Sequence, residues 1–279
     1  MKNLLVILIL IMSVAAYCQT SNLIVEKNIV YGKVGDRELT LNMATLNDNK
    51  KDKPVVILIH GGGWSEGNKD DMLPFADWFA NKGYVAFCVG YRLSGEAKFP
   101  AQIEDCKTAV RFVRANYKKY NINPNKVVSF GCSAGGHLAS LLGVMPKGLY
   151  EGDGNLKFSS KVQAVINYVG PVDLSYYPNN DENNWVNGIL KLFLGDDPKM
   201  LAVASPITYV SKSSAPHLMF FGSEDKIVPY KQSDKFVDKM KKSGVYCDVY
   251  VHPGGGHGYD FGVIIPKIDD FLEKFIINK

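Results

Sequence analysis

Three short stretches of this sequence hold a nucleophile, backbone donors for negative charge and a proton acceptor. The first is Gly131-Cys132-Ser133-Ala134-Gly135, which sits between an apolar run ending at Phe130 and a helical pattern beginning at Ala134. G-x-S-x-G in a strand–turn–helix setting marks a sharp elbow that projects the serine hydroxyl from a sheet. The glycines are required because side chains at positions 131 and 135 would collide with neighbouring backbone. The Ala134 N–H, at the helix start, points towards charge developing near that hydroxyl. Cys132 is read as a bystander, since successive side chains on such an elbow point apart. The second stretch, His60-Gly61-Gly62-Gly63-Trp64, follows directly on the apolar run Val55–Ile59. A loop so poor in side chains lets N–H groups approach a ligand, and its lack of a GK[ST] ending excludes a phosphate-binding P-loop. His60 is expected to brace this loop.

On a sheet carrying its nucleophile on such an elbow, the partners follow in the order serine, acid, histidine. After the run His217–Phe221 comes Gly222-Ser223-Glu224-Asp225-Lys226-Ile227-Val228-Pro229. Asp225 is the expected acid, Glu224 is expected to face solvent or cap the turn, and Asp173 is a lesser alternative. Of the five histidines, His137 lies on the elbow's own helix, His217 begins a strand and His252 ends one. His257, in the loop Pro253–Tyr259, is the one able to reach over both Ser133 and Asp225.

The elements that must position these groups alternate. A hairpin (Ile24–Tyr31, Glu38–Leu46) comes first, then a buried strand Pro54–Ile59, a helix Leu73–Asn81 and a strand Tyr84–Val89. Pro100 opens a helix in which Ile103, Cys106, Ala109, Val110 and Val113 recur at helical spacing. Then follow a strand Lys126–Phe130, a helix Ala134–Val144, strands Val162–Val169, His217–Phe221 and Val245–Val251, and a closing amphipathic helix over Ile264–Phe275. This order implies an α/β fold with a mostly parallel sheet and helices on both faces. Residues 171–205 differ in texture, rich in Asn, Asp and Tyr, with a short helix expected near Val186–Leu194; they read as a cap-like insertion over the carboxyl end of the sheet.

Composition excludes more than it assigns. With 279 residues, 46% hydrophobic and 22% charged, the chain is neither disordered nor a polytopic membrane protein. A net charge of +4 is too small and dispersed to suggest nucleic acid as a partner. At the start, Lys2 precedes the unbroken apolar run Leu4–Met12, and Ala16 and Cys18 flank a small-x-small site before Gln19. Residues 1–18 are therefore expected to be a secretory signal peptide, too short for a transmembrane span, sending residues 19–279 to the periplasm or beyond as one domain. The rival is a lipoprotein acylated on Cys18, disfavoured by the bulky Tyr17; a buried N-terminal strand is a further alternative. Cys88, Cys106, Cys132 and Cys247 show no CxxC pair and no disulfide framework. Cys88 and Cys247 are expected to be buried, and an exported chain leaves one or two disulfides open without pairing them.

With these motifs assembled, the chain resembles the α/β-hydrolase superfamily, in particular HGGG-type bacterial esterase/lipase proteins of the feruloyl- and acetyl-esterase-like and hormone-sensitive-lipase-related groups. The matching segments are His60–Trp64, Tyr91-Arg92-Leu93, Phe99–Gln102, Gly131–His137, Gly222–Pro229 and Gly256-His257-Gly258. The resemblance implies carboxylic ester hydrolysis through an acyl-enzyme on Ser133, with His257 as base then acid and Asp225 orienting it. Gly62, Gly63 and Trp64, with Ala134, would supply the N–H donors, and neither cofactor nor metal is implied. Trp64, Tyr176, Tyr177 and Trp185 are expected near the pocket, suiting a sugar-linked or aromatic acyl ester, because aromatic faces pack on rings. An arylformamidase-like amide hydrolase is the alternative reaction, and a non-catalytic binding module on the same fold is the alternative of another class.

Overall fold

A computed structural model describes residues 22–179 and 184–278. The expected signal segment lies outside the described residues, as do residues 180–183 within the insertion. The elements run β1 (Leu23–Val34), β2 (Arg37–Leu46), β3 (Lys53–Ile59), α1 (Leu73–Asn81), β4 (Val85–Val89), α2 (Ala101–Ala115), β5 (Ile122–Cys132) and α3 (Ala134–Val144). They continue with β6 (Ala164–Tyr168), α4 (Asn184–Leu194), α5 (Lys199–Ala204), β7 (His217–Gly222), α6 (Asp234–Lys242), β8 (Cys247–His252) and α7 (Ile265–Leu272).

One eight-stranded sheet forms, in the order β1-β2-β4-β3-β5-β6-β7-β8. The β1–β2 and β2–β4 pairs are antiparallel, and every pair from β4 to β8 is parallel. This is the α/β-hydrolase fold.

Period-two alternation divides the core. From β3, Val55, Ile57 and Ile59 face one layer with Ile103, Val110 and Val113 of α2 and Leu138 and Leu141 of α3. Val56 and Leu58 face the other, with Phe75 and Phe79 of α1 and Ile268 and Phe271 of α7. Both faces of the strand are covered, which is why its sequence reads as a continuous apolar run. The insertion contributes α4, whose Val186, Leu190, Phe193 and Leu194 recur at helical spacing and are buried against the α2–α3 layer. All four cysteines among the described residues are free, with Cys88, Cys106 and Cys247 buried. No described helix is long and apolar enough to cross a membrane.

Candidate active site

Ser133 stands between β5 and α3 with φ 54° and ψ −119°, a backbone conformation that L-residues rarely occupy. Packing holds it there. A Cβ at Gly131 would be driven into the Gly135 carbonyl, and one at Gly135 into the Ile59 carbonyl at the end of β3. The Ser133 N–H donates to Tyr168 O at 2.8 Å, tying the elbow to the end of β6. As the first residue of α3, Ala134 has an N–H with no carbonyl one turn behind it.

The glycine loop packs against this elbow. A Cβ at Gly61 would lie 3.4 Å from Ser133 Cβ, so the loop backbone passes at van der Waals distance. Gly62 (φ 103°), Gly63 (φ 56°) and Trp64 (φ 59°) all have positive φ. At Gly62 no other residue fits, because a Cβ would meet the Glu66 carbonyl. Ser65 and Glu66 N–H donate to Gly62 O at 3.0 and 2.9 Å, whereas the N–H groups of Gly62, Gly63 and Trp64 have no acceptor among the described residues.

His60 braces the loop as expected: its Nδ1 meets Gly61 O at 2.8 Å and its ring stacks on Tyr91 at 4.2 Å. Burial strips water from the imidazole and lowers its pKa to about 4, so it stays neutral. The Tyr91 hydroxyl donates to His60 O, and Ser94 donates both N–H and Oγ–H to Trp64 O. Arg92 between them clamps Asp105 of α2 through Nε and Nη2 at 2.9 and 2.7 Å. The segment after β4 is thereby fastened to α2 while it supports the loop.

His257 and Asp225 arrive from the other end of the sheet. His257 Nε2 is 2.8 Å from Ser133 Oγ, and Nδ1 is 2.8 Å from Asp225 Oδ2. The carboxylate side chain is wholly buried, and its other oxygen accepts the N–H groups of Ile227 and Val228 at 2.8 and 2.9 Å. With Nδ1–H donating to the carboxylate, Nε2 is left as acceptor for the serine proton. Such a line can deprotonate the hydroxyl as it attacks a carbonyl carbon. Glu224 is exposed, and Asp173 accepts the Ser175 N–H instead. Desolvation raises the Cys132 pKa, so the neighbouring thiol has no access to the thiolate state that sulfur nucleophiles need.

Two of the aromatic expectations are corrected. Trp64 is 5% exposed, its indole stacked flat on Phe193 of α4 at 4.3 Å. Tyr177 is 1% exposed. Both rings are core: they hold the insertion down on the sheet, and their large apolar area favours that burial. The Trp64 indole N–H donates to His137 Nδ1 at 3.2 Å, which leaves His137 Nε2–H to donate to Ala204 O at 2.8 Å. Loop, nucleophile helix and insertion are joined through that one imidazole, whose pKa burial lowers to about 4. Tyr176 is partly exposed and Trp185 is 49% exposed. Trp185 lies one turn before Ile189, whose side chain is 3.2 Å from where a Gly63 Cβ would be, so α4 runs over the glycine loop. Ile189, Tyr168 and His137's bridging role escaped the sequence reading; only Tyr168, a polar-tipped residue ending an apolar strand, left a signal.

Comparison with known proteins finds esterases. Esterase LipC of Mycobacterium tuberculosis is 29% identical over 217 residues, covering 75% of this chain and 54% of that protein. An acetylxylan esterase of Xylanibacter ruminicola is 30% identical over 227 residues, covering 78% and 44%. The chain thus spans about half the length of the curated relatives it matches. A truncated carbohydrate esterase from gut microbiota superposes with a TM-score of 0.78 at 29% identity, covering 90% of this chain and 96% of that one. Residues 41–240 match the BD-FAE family model, and with the hydrolase fold and the Ser133–His257–Asp225 line already in place, the chain belongs to the BD-FAE family.

Proposed function

We propose that this chain is an exported serine carboxylic-ester hydrolase that deacylates short-chain esters or carbohydrate-linked acetyl and feruloyl esters. The observation that carries the reading is the unbroken hydrogen-bonded line from Ser133 through His257 to Asp225, lying beside a glycine loop with unengaged N–H groups. Ser133 Oγ attacks the ester carbonyl carbon as His257 Nε2 takes its proton. The oxyanion of the tetrahedral intermediate is held by the N–H groups of Ala134, Gly62, Gly63 and Trp64. His257 then gives its proton to the departing alcohol, and water, activated by the same imidazole, releases the acid from the acyl-enzyme. Partly exposed Tyr176 and exposed Trp185 of the insertion form the platform for the sugar or aryl moiety. Kinship with an acetylxylan esterase and a carbohydrate esterase supports that substrate class, and the pattern of residues 1–18 supports export.

Ser133→Ala is expected to abolish hydrolysis of p-nitrophenyl acetate and leave the circular dichroism spectrum unchanged; undiminished turnover would sink the mechanism. A panel of p-nitrophenyl acetate to palmitate, methyl ferulate, acetylated xylan and N-formylkynurenine assigns the substrate. Turnover confined to palmitate, or to the formamide, would overturn the proposed class.

A further inference from the structure

Ser133 follows a central strand of the parallel array and His257 follows its edge strand. Ser133 follows β5 and His257 follows β8, with β6 and β7 between them. At about 4.8 Å per strand, the two strands are roughly 14 Å apart, yet the side chains meet at 2.8 Å. The loop after β8 must therefore travel back across the ends of β7 and β6.

Its two footholds are visible. At β7 it rests on Gly222, where a Cβ would enter the Gly255 and Gly256 carbonyls, and Gly255 O accepts the Glu224 N–H at 2.8 Å. At β6 it is caught by a single hydroxyl: Tyr168 Oη donates to Tyr259 O at 2.7 Å and accepts the Tyr259 N–H at 2.8 Å. Tyr168 is also the residue whose carbonyl takes the Ser133 N–H.

We propose that Tyr168 is a positioning residue that sets the distance between Ser133 and His257, its backbone holding the nucleophile and its phenol holding the loop that carries the base. The phenol is suited to the task. It is 1% exposed, its ring sits among Phe261, Tyr259 and the β6 neighbours, and burial keeps it protonated. One neutral O–H can thus donate and accept at once. Removing it leaves the β6 backbone bond to Ser133 intact but frees the loop two residues after His257.

The kinetic part of this inference rests on the ester-hydrolase reading, so its test has an arm that needs no substrate. In the unaltered protein, the Tyr259 amide should exchange with deuterium as slowly as amides of β6; exchange at free-loop rates would overturn the proposal. In Tyr168→Phe, exchange over residues 256–260 should accelerate while β6 stays protected. On p-nitrophenyl acetate this variant should lose roughly 10- to 100-fold in kcat, as expected of a misplaced base, with KM within about twofold. Tyr84→Phe, which deletes another buried hydroxyl, should leave kcat unchanged. A lowered Tm with unaltered kcat and unaltered exchange would reduce Tyr168 to a packing residue. If the unaltered protein hydrolyses no ester while the exchange results hold, the functional reading falls and the clamp stands.

Discussion

Asp225 does not share its work evenly between its two oxygens. One accepts two backbone N–H groups, which fix the carboxylate plane, and only the other reaches His257 Nδ1. Asp225→Asn would keep the backbone bonds but could present an amide N–H to Nδ1, turning the imidazole to the wrong tautomer. The expected outcome is a fall in kcat of roughly 10³- to 10⁴-fold for acetyl esters with little change in Tm. A loss of under tenfold in steady-state assays would assign the orienting role elsewhere. Glu224 and Asp173, the other carboxylates near this strand end, engage neither imidazole nitrogen, because one faces solvent and the other closes its own turn.

Among the elements, those with strong local signals were legible in advance. The boundaries Leu73–Asn81 and Ala134–Val144 agree with the structure at both ends, since a proline near the first helix start and the serine elbow before the second mark sharp transitions. The hairpin and the parallel strands were readable for the same reason. Short α5 (Lys199–Ala204) was not, because six residues give too little periodicity. The start of β5 at Ile122 was also missed: its pairing with Lys53 precedes a register shift before Val127, so the strand begins irregularly. The three groups Ser133, Asp225 and His257 could be found because each sits in a loop with its own residue pattern. Which rings are exposed could not, since nothing in a list of rings distinguishes the face of α4 that carries Phe193 onto Trp64 from the face that carries Trp185 into solvent. Ile189 belongs to that same helix and touches Gly63. Ile189→Ala should open space beside the glycine loop and raise kcat/KM for butyrate and hexanoate esters relative to acetate. An unchanged chain-length profile would remove α4 from the acyl side of the site.

Over the whole molecule, three imidazoles are stored without charge. His60, His137 and His217 are each buried, and loss of water lowers each pKa from 6.5 to about 4. In the unfolded chain they would titrate near 6.5, so below that pH the unfolded state binds more protons. Their contribution is fully present above pH 6.5 and is lost as pH falls through about 4, on the order of 3 kcal/mol for each histidine. Against domain stabilities of about 5–15 kcal/mol, three such groups together are of the same order as the whole. Urea midpoints should therefore drop steeply between pH 6.5 and 4, and a flat profile there would show that these rings protonate without unfolding. Elsewhere among the described residues, buried charge has partners: Arg111 of α2 reaches Glu151 at 2.8 Å and the carbonyls of Asp153 and Gly154, which pins the segment before β6.

The order in which the sheet is filled also governs when the candidate site becomes complete. A ribosome that has delivered the chain through Ser243 has made the nucleophile, the glycine loop and the acid. It has not yet made β8 or His257. Every shorter product, whether nascent, truncated or clipped ahead of the last strand, lacks the imidazole that meets Ser133 Oγ. Recovery of turnover after dilution from denaturant thus reports the docking of the final strand and its loop, and acts as a clock for completion of the whole sheet.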